Sequence, residues 1–328
     1  MTCFMVNPKK IKTGLHVRNM HRGQYDFDQL ITSNPALANY VKINDHHHST
    51  IDFGNPLAVK ALNQALLKRF YGVFEWDIPA HYLCPAIPGR ADYLHYMADL
   101  LNSKIPTVLV RNENVRVLDV GVGANVIYPI IGNYVYGWRF VGVDIDTKAL
   151  KNAKLIAEAN NLSGVIELRL QSLSTSTFSG VISDGEYFDL TICNPPFHES
   201  LDEALAGTHR KWRGLGKVKN QSFSKNKSAI LNFGGQNAEL YCAGGEEAFV
   251  KCMINESKQF ATQCLWFTTL ISKASILPEI YRALKHVSAL QVKTINMSQG
   301  QKKSRVVAWT FLNTSQQSAW QRDKDKAV

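Results

Sequence analysis

No part of the 328-residue chain stays apolar for the roughly 18 positions a membrane-spanning helix needs. The opening MTCFMVNPKK also lacks a basic start followed by an apolar run. A soluble, cytoplasmic protein without a membrane partner is the expectation. Cysteine is sparse. The six cysteines, at 3, 84, 193, 242, 252 and 264, have neither zinc-site spacing nor the density of a disulfide scaffold. Reduced thiols and no metal follow. The triplet His46, His47, His48 does not change this, because adjacent side chains splay apart and no carboxylate or cysteine cluster accompanies them. Repeats and low-complexity tracts are absent too. What remains is a globular composition, 45% hydrophobic, long enough for one core domain with extensions or about two structural units.

Acidic side chains are in deficit, 27 against 37 Lys and Arg, and the formal charge is +10. The excess is local. Residues 208–227, THRKWRGLGKVKNQSFSKNK, carry seven basic groups and no acidic one. Such a segment suits a phosphate-rich partner, since each neutralised phosphate releases counterions. A solvated surface loop has the same charge. Trp212 and Phe223 within the run favour nucleic acid, because aromatic rings stack on unpaired bases.

The first hundred residues predict a helical extension. In PLAVKALNQALLKRFYGV the apolar positions Leu57, Val59, Leu62, Leu66, Leu67 and Phe70 follow helical period, with Asn55 as cap and Pro56 in the first turn. A second helix, ADYLHYMADLL, begins after Gly89. From Asn114 strands and helices alternate, which predicts an α/β fold with a mostly parallel sheet. The strands are VRVLDV, RFVGVDI, VIELRL, YFDLTIC and CLWFTTLI; LQVKTINM and RVVAWTFLN close the sheet as an antiparallel hairpin, giving seven. The polar end, 315–328, reads as a flexible tail.

Three places carry chemistry. Asp119-Val120-Gly121-Val122-Gly123 ends the first strand, and its glycines let backbone approach a ligand closely. The run continues Ala124-Asn125 without the third glycine of a pyrophosphate-cradling turn. It resembles the DxGxG turn of S-adenosylmethionine-dependent methyltransferases; a plain strand-to-helix turn has the same spelling. Asp144 ends the second strand, where a carboxylate can accept both ribose hydroxyls of an adenosyl group, while Asp146 fits a helix cap. Asn194-Pro195-Pro196-Phe197 follows the fourth strand. The prolines fix the backbone, so the Pro195 carbonyl and the Asn194 carboxamide can hold the two hydrogens of a planar exocyclic amine, with Phe197 stacked on its ring. Catalysis there is orientation and acceptor placement, without a nucleophile. His198 is a further substrate-contact candidate, Cys193 reads as a buried strand residue, and Arg90 can pair with a methionyl carboxylate.

Longer blocks go beyond a superfamily. GLHVRNMH, IDFGNPLAVKALN, WDIPAHYLCPAIPGRADYLHYMADLL, LDVGVGANVIYPIIG, CNPPFHES, LNFGGQNAELYCAGGEEAFVKCMI and QGQKKSRVVAWTF resemble the bacterial 23S rRNA (adenine(1618)-N(6))-methyltransferase family over Gly14 to Leu312. The chain is similar, more distantly, to eukaryotic enzymes that methylate adenine in U6 small nuclear RNA. The resemblance implies a Rossmann-like class I methyltransferase domain at 111–314, behind an RNA-binding, cofactor-covering extension at 1–110. It implies S-adenosyl-L-methionine as cofactor, and 23S ribosomal RNA or a large-subunit assembly intermediate as partner of a monomer. Cofactor contacts fall on Arg90, Asp119, Gly121, Gly123, Asp144, Gln171 and Asn194, and catalysis on Asn194 to Phe197. The competing readings are a protein glutamine-N5 methyltransferase, whose usual motif is NPPY, and a non-catalytic RNA-binding module.

Overall fold

The computed structural model describes residues 14–102, 111–173, 175–196, 242–299 and 302–324. The chain enters through α1 (Phe27–Ser33), a small ribbon of β1 (Val41–Ile43) and β2 (Ser49–Ile51), then α2 (Pro56–Tyr71) and α3 (Ile87–Leu101). Asn55 caps α2 by accepting from the Leu57 amide, and Gly72, at φ 63°, ends it in the left-handed region. Pro88 lies in the first turn of α3, so the helix begins ahead of Gly89 instead of after it. The ribbon is not expected from the sequence. Its turn holds the histidine triplet, where Asn44 accepts from the amides of His46 and His48. No group of three or more metal-ligating side chains occurs among the described residues.

The sheet follows: β3 (Arg116–Val120), α4 (Ile127–Tyr136), β4 (Arg139–Asp144), α5 (Thr147–Ala159), β5 (Ile166–Leu170), β6 (Phe188–Cys193), α6 (Gly245–Ser257), β7 (Cys264–Ile271), α7 (Leu277–His286), β8 (Gln291–Gln299) and β9 (Lys302–Thr310). Its order is β5-β4-β3-β6-β7-β9-β8. The first five strands pair in parallel, and β9 is antiparallel to β7 and to β8, as the sequence predicts. Chain progression reverses between β3 and β6, and ligands of open α/β sheets bind above the carboxyl ends of strands at such a reversal. On one face a core joins α2, α3 and α4 to Val117, Phe140 and Val306; on the other, Val250, Met253 and Ile280 of α6 and α7 pack on Leu118, Phe188 and Phe267. No described helix is long and apolar enough to cross a membrane.

Two findings differ from the sequence reading. The tail is not free. Residues Thr314–Lys324 form α8, whose Trp320 is buried and donates its indole N–H to Asp189 at 2.9 Å. One large aromatic residue docks a helix whose other side chains, apart from Ala319, are polar, which composition alone does not reveal. The extension, which the resemblance implies binds RNA, also spends basic side chains near its start inside the fold. Arg18 pairs with Asp99 at 2.6 Å and donates to the His95 carbonyl at 2.9 Å. His16 contacts Asp99 at 2.9 Å, and Asn19 holds Asp92 and the Pro88 carbonyl. The GLHVRNMH block thus clasps α3.

Candidate active site

Beyond β3 the chain turns through Gly121 and Gly123, at φ 76° and 65°. Val126 also lies in the left-handed region, at φ 52°, an unusual conformation for a β-branched residue and a sign of a tightly determined turn. The end of β4 braces it. The Val143 carbonyl accepts from the amides of Gly121 and Val122 at 2.8 and 2.9 Å, and one Asp144 carboxylate oxygen accepts from Gly123 at 2.9 Å. Asp146 caps α5, as expected, accepting from Lys148 at 2.8 Å. It also takes the Tyr82 hydroxyl at 2.6 Å.

Above this turn lies a cleft whose wall includes Arg90, Gly121, Gly123, Asp144, Gln171, Asn194, Pro195 and Pro196. Residues spread over more than a hundred positions thus meet at one place. The Asn194 side-chain oxygen is shielded from solvent without a hydrogen bond among the described residues. Such a buried acceptor is costly unless a donor arrives. The Arg90 guanidinium lies 5.5 Å from the centre of the Tyr128 ring.

The extension closes one side. Trp76 donates its indole N–H to the Asn125 carbonyl at 2.9 Å, and Asn152 bridges the carbonyls of Asp77 and Ala124 at 2.9 and 2.8 Å. Trp76, Tyr82, Tyr128 and Asn152 are missed by sequence reasoning. The aromatic, proline-punctuated stretch from Trp76 to Arg90 is a visible signal, but its contacts are long-range.

Asp119 does not join the cleft wall. It is 1% exposed behind the end of β3, and neither carboxylate oxygen has a partner among the described residues. Burial pushes its carboxyl well above the usual range, Asp144 adds to this, and Arg90 opposes it. Gln171 reaches the wall, but its amide stitches the local loop, accepting from Leu173 at 2.8 Å and donating to the Ser179 carbonyl at 3.0 Å. Cys193 is buried at the end of β6, as expected of a strand residue, and burial pushes its thiol up, away from the thiolate a nucleophile needs. Phe197, His198 and the basic segment 208–227 lie outside the described residues.

The cleft combines an open glycine turn, two carboxylates behind or beside it, a guanidinium, and a carboxamide oxygen without a partner among the described residues. This set fits a cofactor with a cationic centre, a carboxylate and a ribose, and a hydrogen-bond donor on the group it would act on.

Comparison with known proteins agrees. A family model described as RNA methyltransferase matches residues 9–313. The chain is 54% identical to the ribosomal RNA large subunit methyltransferase F of Methylobacillus flagellatus over 95% of this chain and 96% of that one. Its identity to the protein of the same name from Photobacterium profundum is 49%, covering 99% of each. Among solved structures, the hMettl16 catalytic domain in complex with a MAT2A 3′UTR hairpin superposes with TM-score 0.74 at 27% identity, covering 92% of this chain and 97% of that one. The N-terminal domain of human METTL16 in complex with SAH gives TM-score 0.71 at 25% identity, covering 91% and 99%.

Proposed function

The chain belongs to this family of RNA methyltransferases, and we propose that it methylates the exocyclic N6 of a single adenine, position 1618, in 23S ribosomal RNA. S-adenosyl-L-methionine is the cofactor, and when bound it supplies an electrophilic methyl group on a sulfonium. Gly121 and Gly123 admit it closely, Asp144 takes its ribose hydroxyls, and Arg90 pairs with its carboxylate. The remaining work belongs to the corner after β6. Asn194, with the Pro195 carbonyl, accepts the two amine hydrogens of adenine and turns the nitrogen lone pair out of conjugation with the ring. Phe197 stacks on that ring. No residue has to remove a proton beforehand, because the amine attacks while neutral and its proton leaves afterwards.

The observation that carries this reading is the Asn194 oxygen, buried without a hydrogen bond among the described residues, on the wall shared with Gly123 and Asp144. Incubation with labelled S-adenosyl-L-methionine and unmodified ribosomal RNA is expected to label adenine in the RNA. Label confined to a glutamine of a protein substrate would replace the reading with that of a protein methyltransferase. Asn194→Ala is expected to abolish turnover with cofactor binding retained; undiminished methylation refutes the acceptor role. The chain is proposed to act as a monomer, in the cytoplasm, on 23S RNA or an assembling subunit.

A further inference from the structure

We propose that Tyr93, on α3 in the N-terminal extension, is a positioning residue for methyl transfer that holds the Asn194–Pro196 corner through the backbone of Cys193. The proposal rests on reading that corner as the acceptor site.

The pairing of β6 with β7 covers Phe188 with Cys264 and Leu190 with Trp266, and no register continues beyond it. Side chains take over where the ladder stops. The Thr268 amide of β7 donates to the Thr191 hydroxyl at 3.2 Å, and the Thr268 hydroxyl donates to the Thr191 carbonyl at 2.6 Å. The Tyr93 hydroxyl sits 2.8 Å from that Thr268 oxygen. Since the Thr268 proton is already used on Thr191, Tyr93 is the donor between the two. Its oxygen is then left to accept, and it takes the Cys193 amide at 3.4 Å. The proton order runs from Cys193 N–H to Tyr93, from Tyr93 to Thr268, and from Thr268 to the Thr191 carbonyl. Tyr93, Thr191 and Thr268 are each 0% exposed, so water cannot replace a lost link.

Cys193 immediately precedes Asn194. A shift at its amide is passed to the carboxamide and to the Pro195 carbonyl, since the prolines leave little freedom to absorb it. Arg90 stands one helical turn before Tyr93 on α3 and lines the same cleft. The ring of Tyr93 also packs edge-on against Tyr128, beneath that arginine, at 5.5 Å. One helix therefore sets both the cofactor end of the cleft and the acceptor corner.

Tyr93→Phe removes one oxygen and keeps the ring. The expected result is a kcat lowered about ten- to a hundred-fold, with cofactor Kd and RNA KM within about two-fold of the parent. Amide hydrogen exchange at Cys193 should rise, while exchange in the β3–β4 turn stays unchanged. Thr268→Val, which removes the acceptor of the Tyr93 proton, should reproduce the effect, and Thr268→Ser should spare it. Thr268→Val also serves if Tyr93→Phe fails to fold. An unchanged kcat, an unchanged exchange rate at Cys193, or an equal loss of cofactor affinity overturns the proposal. Exchange needs no turnover, so it tests the Tyr93 link by itself, whereas adenine labelling by the parent chain tests the underlying assignment of the site.

Discussion

Asp119 and Asp144 close neighbouring strands but differ in their surroundings. Asp144 accepts two backbone amides, from Gly123 and Asp146, both at 2.9 Å. Asp119 has no partner among the described residues, and burial drives its carboxyl far above the ordinary range. An acid whose folded value exceeds its unfolded value costs stability as the pH climbs from the unfolded value through the folded one. Asp119→Asn removes that cost, so the denaturant midpoint at neutral pH is expected to rise or hold, and its decline with increasing pH to flatten. Asp119 stands off the cleft wall and makes no hydrogen bond among the described residues, so cofactor affinity, measured by calorimetry, should stay close to that of the parent. A lower midpoint combined with weaker cofactor binding would show that the carboxyl group supports the glycine turn.

Whole elements reach the cleft through similar anchors. Near the end of α6, Glu256 receives the amide and hydroxyl of Thr177, both at 2.6 Å, and the amide of Ser179 at 2.7 Å. It thereby pins the connection after β5, which supplies Ser176 and Thr177 to the cleft wall. Burial pushes the Glu256 carboxyl up, but hydrogen bonds from Ser179 and Thr177 outweigh it and leave it below the usual carboxylate value. For an acid with a depressed folded value, the stabilisation is fully present above the unfolded value and fades as the pH drops through the folded one. Glu256→Gln should therefore lower the denaturant midpoint at neutral pH, with the gap to the parent closing in acid. A gap that stays constant down to strongly acidic pH would contradict this account. Elements of this kind mark the limit of what a sequence discloses. The strands from Arg116 onward are legible because most are apolar or alternating runs bounded by turn residues, and Gly121, Gly123, Asp144 and Asn194 are legible because each follows or ends an apolar run. The β1–β2 ribbon is not, since two strands of three residues carry too little pattern. Glu256 and Tyr93 act across 79 and 175 positions respectively, and nothing local marks their partners.

At the scale of the whole molecule, an enzyme that must find one nucleotide in a large polyanion needs charge placed apart from chemistry. The described site is acceptor-rich, with Asp144 and the Asn194 oxygen on or within the cleft wall and Asp119 behind it. Those groups favour a cationic cofactor and an amine, but they repel phosphate. Phosphate attraction must come from elsewhere. Arg18 is committed to Asp99, and Arg116 and Arg169 pair with Glu186 at 2.7 Å, so these arginines are neutralised within the fold. The segment 208–227 has seven basic groups and no acidic one in its sequence, and it lies between the Asn194 corner and α6 in the chain. Replacing its seven lysines and arginines with glutamine should therefore weaken RNA binding across sequences and flatten its salt dependence. Each lost phosphate contact reduces the slope of log K against log salt by about 0.7 to 0.9, and a fall of at least about 2 is expected. Cofactor affinity should not change, because the residues proposed to bind the cofactor lie outside the segment. If the slope is retained while affinity drops, the lysines and arginines stabilise the fold and RNA is gripped elsewhere; if both are retained, the segment serves solubility and the aromatic pair Trp212 and Phe223 loses its stacking role.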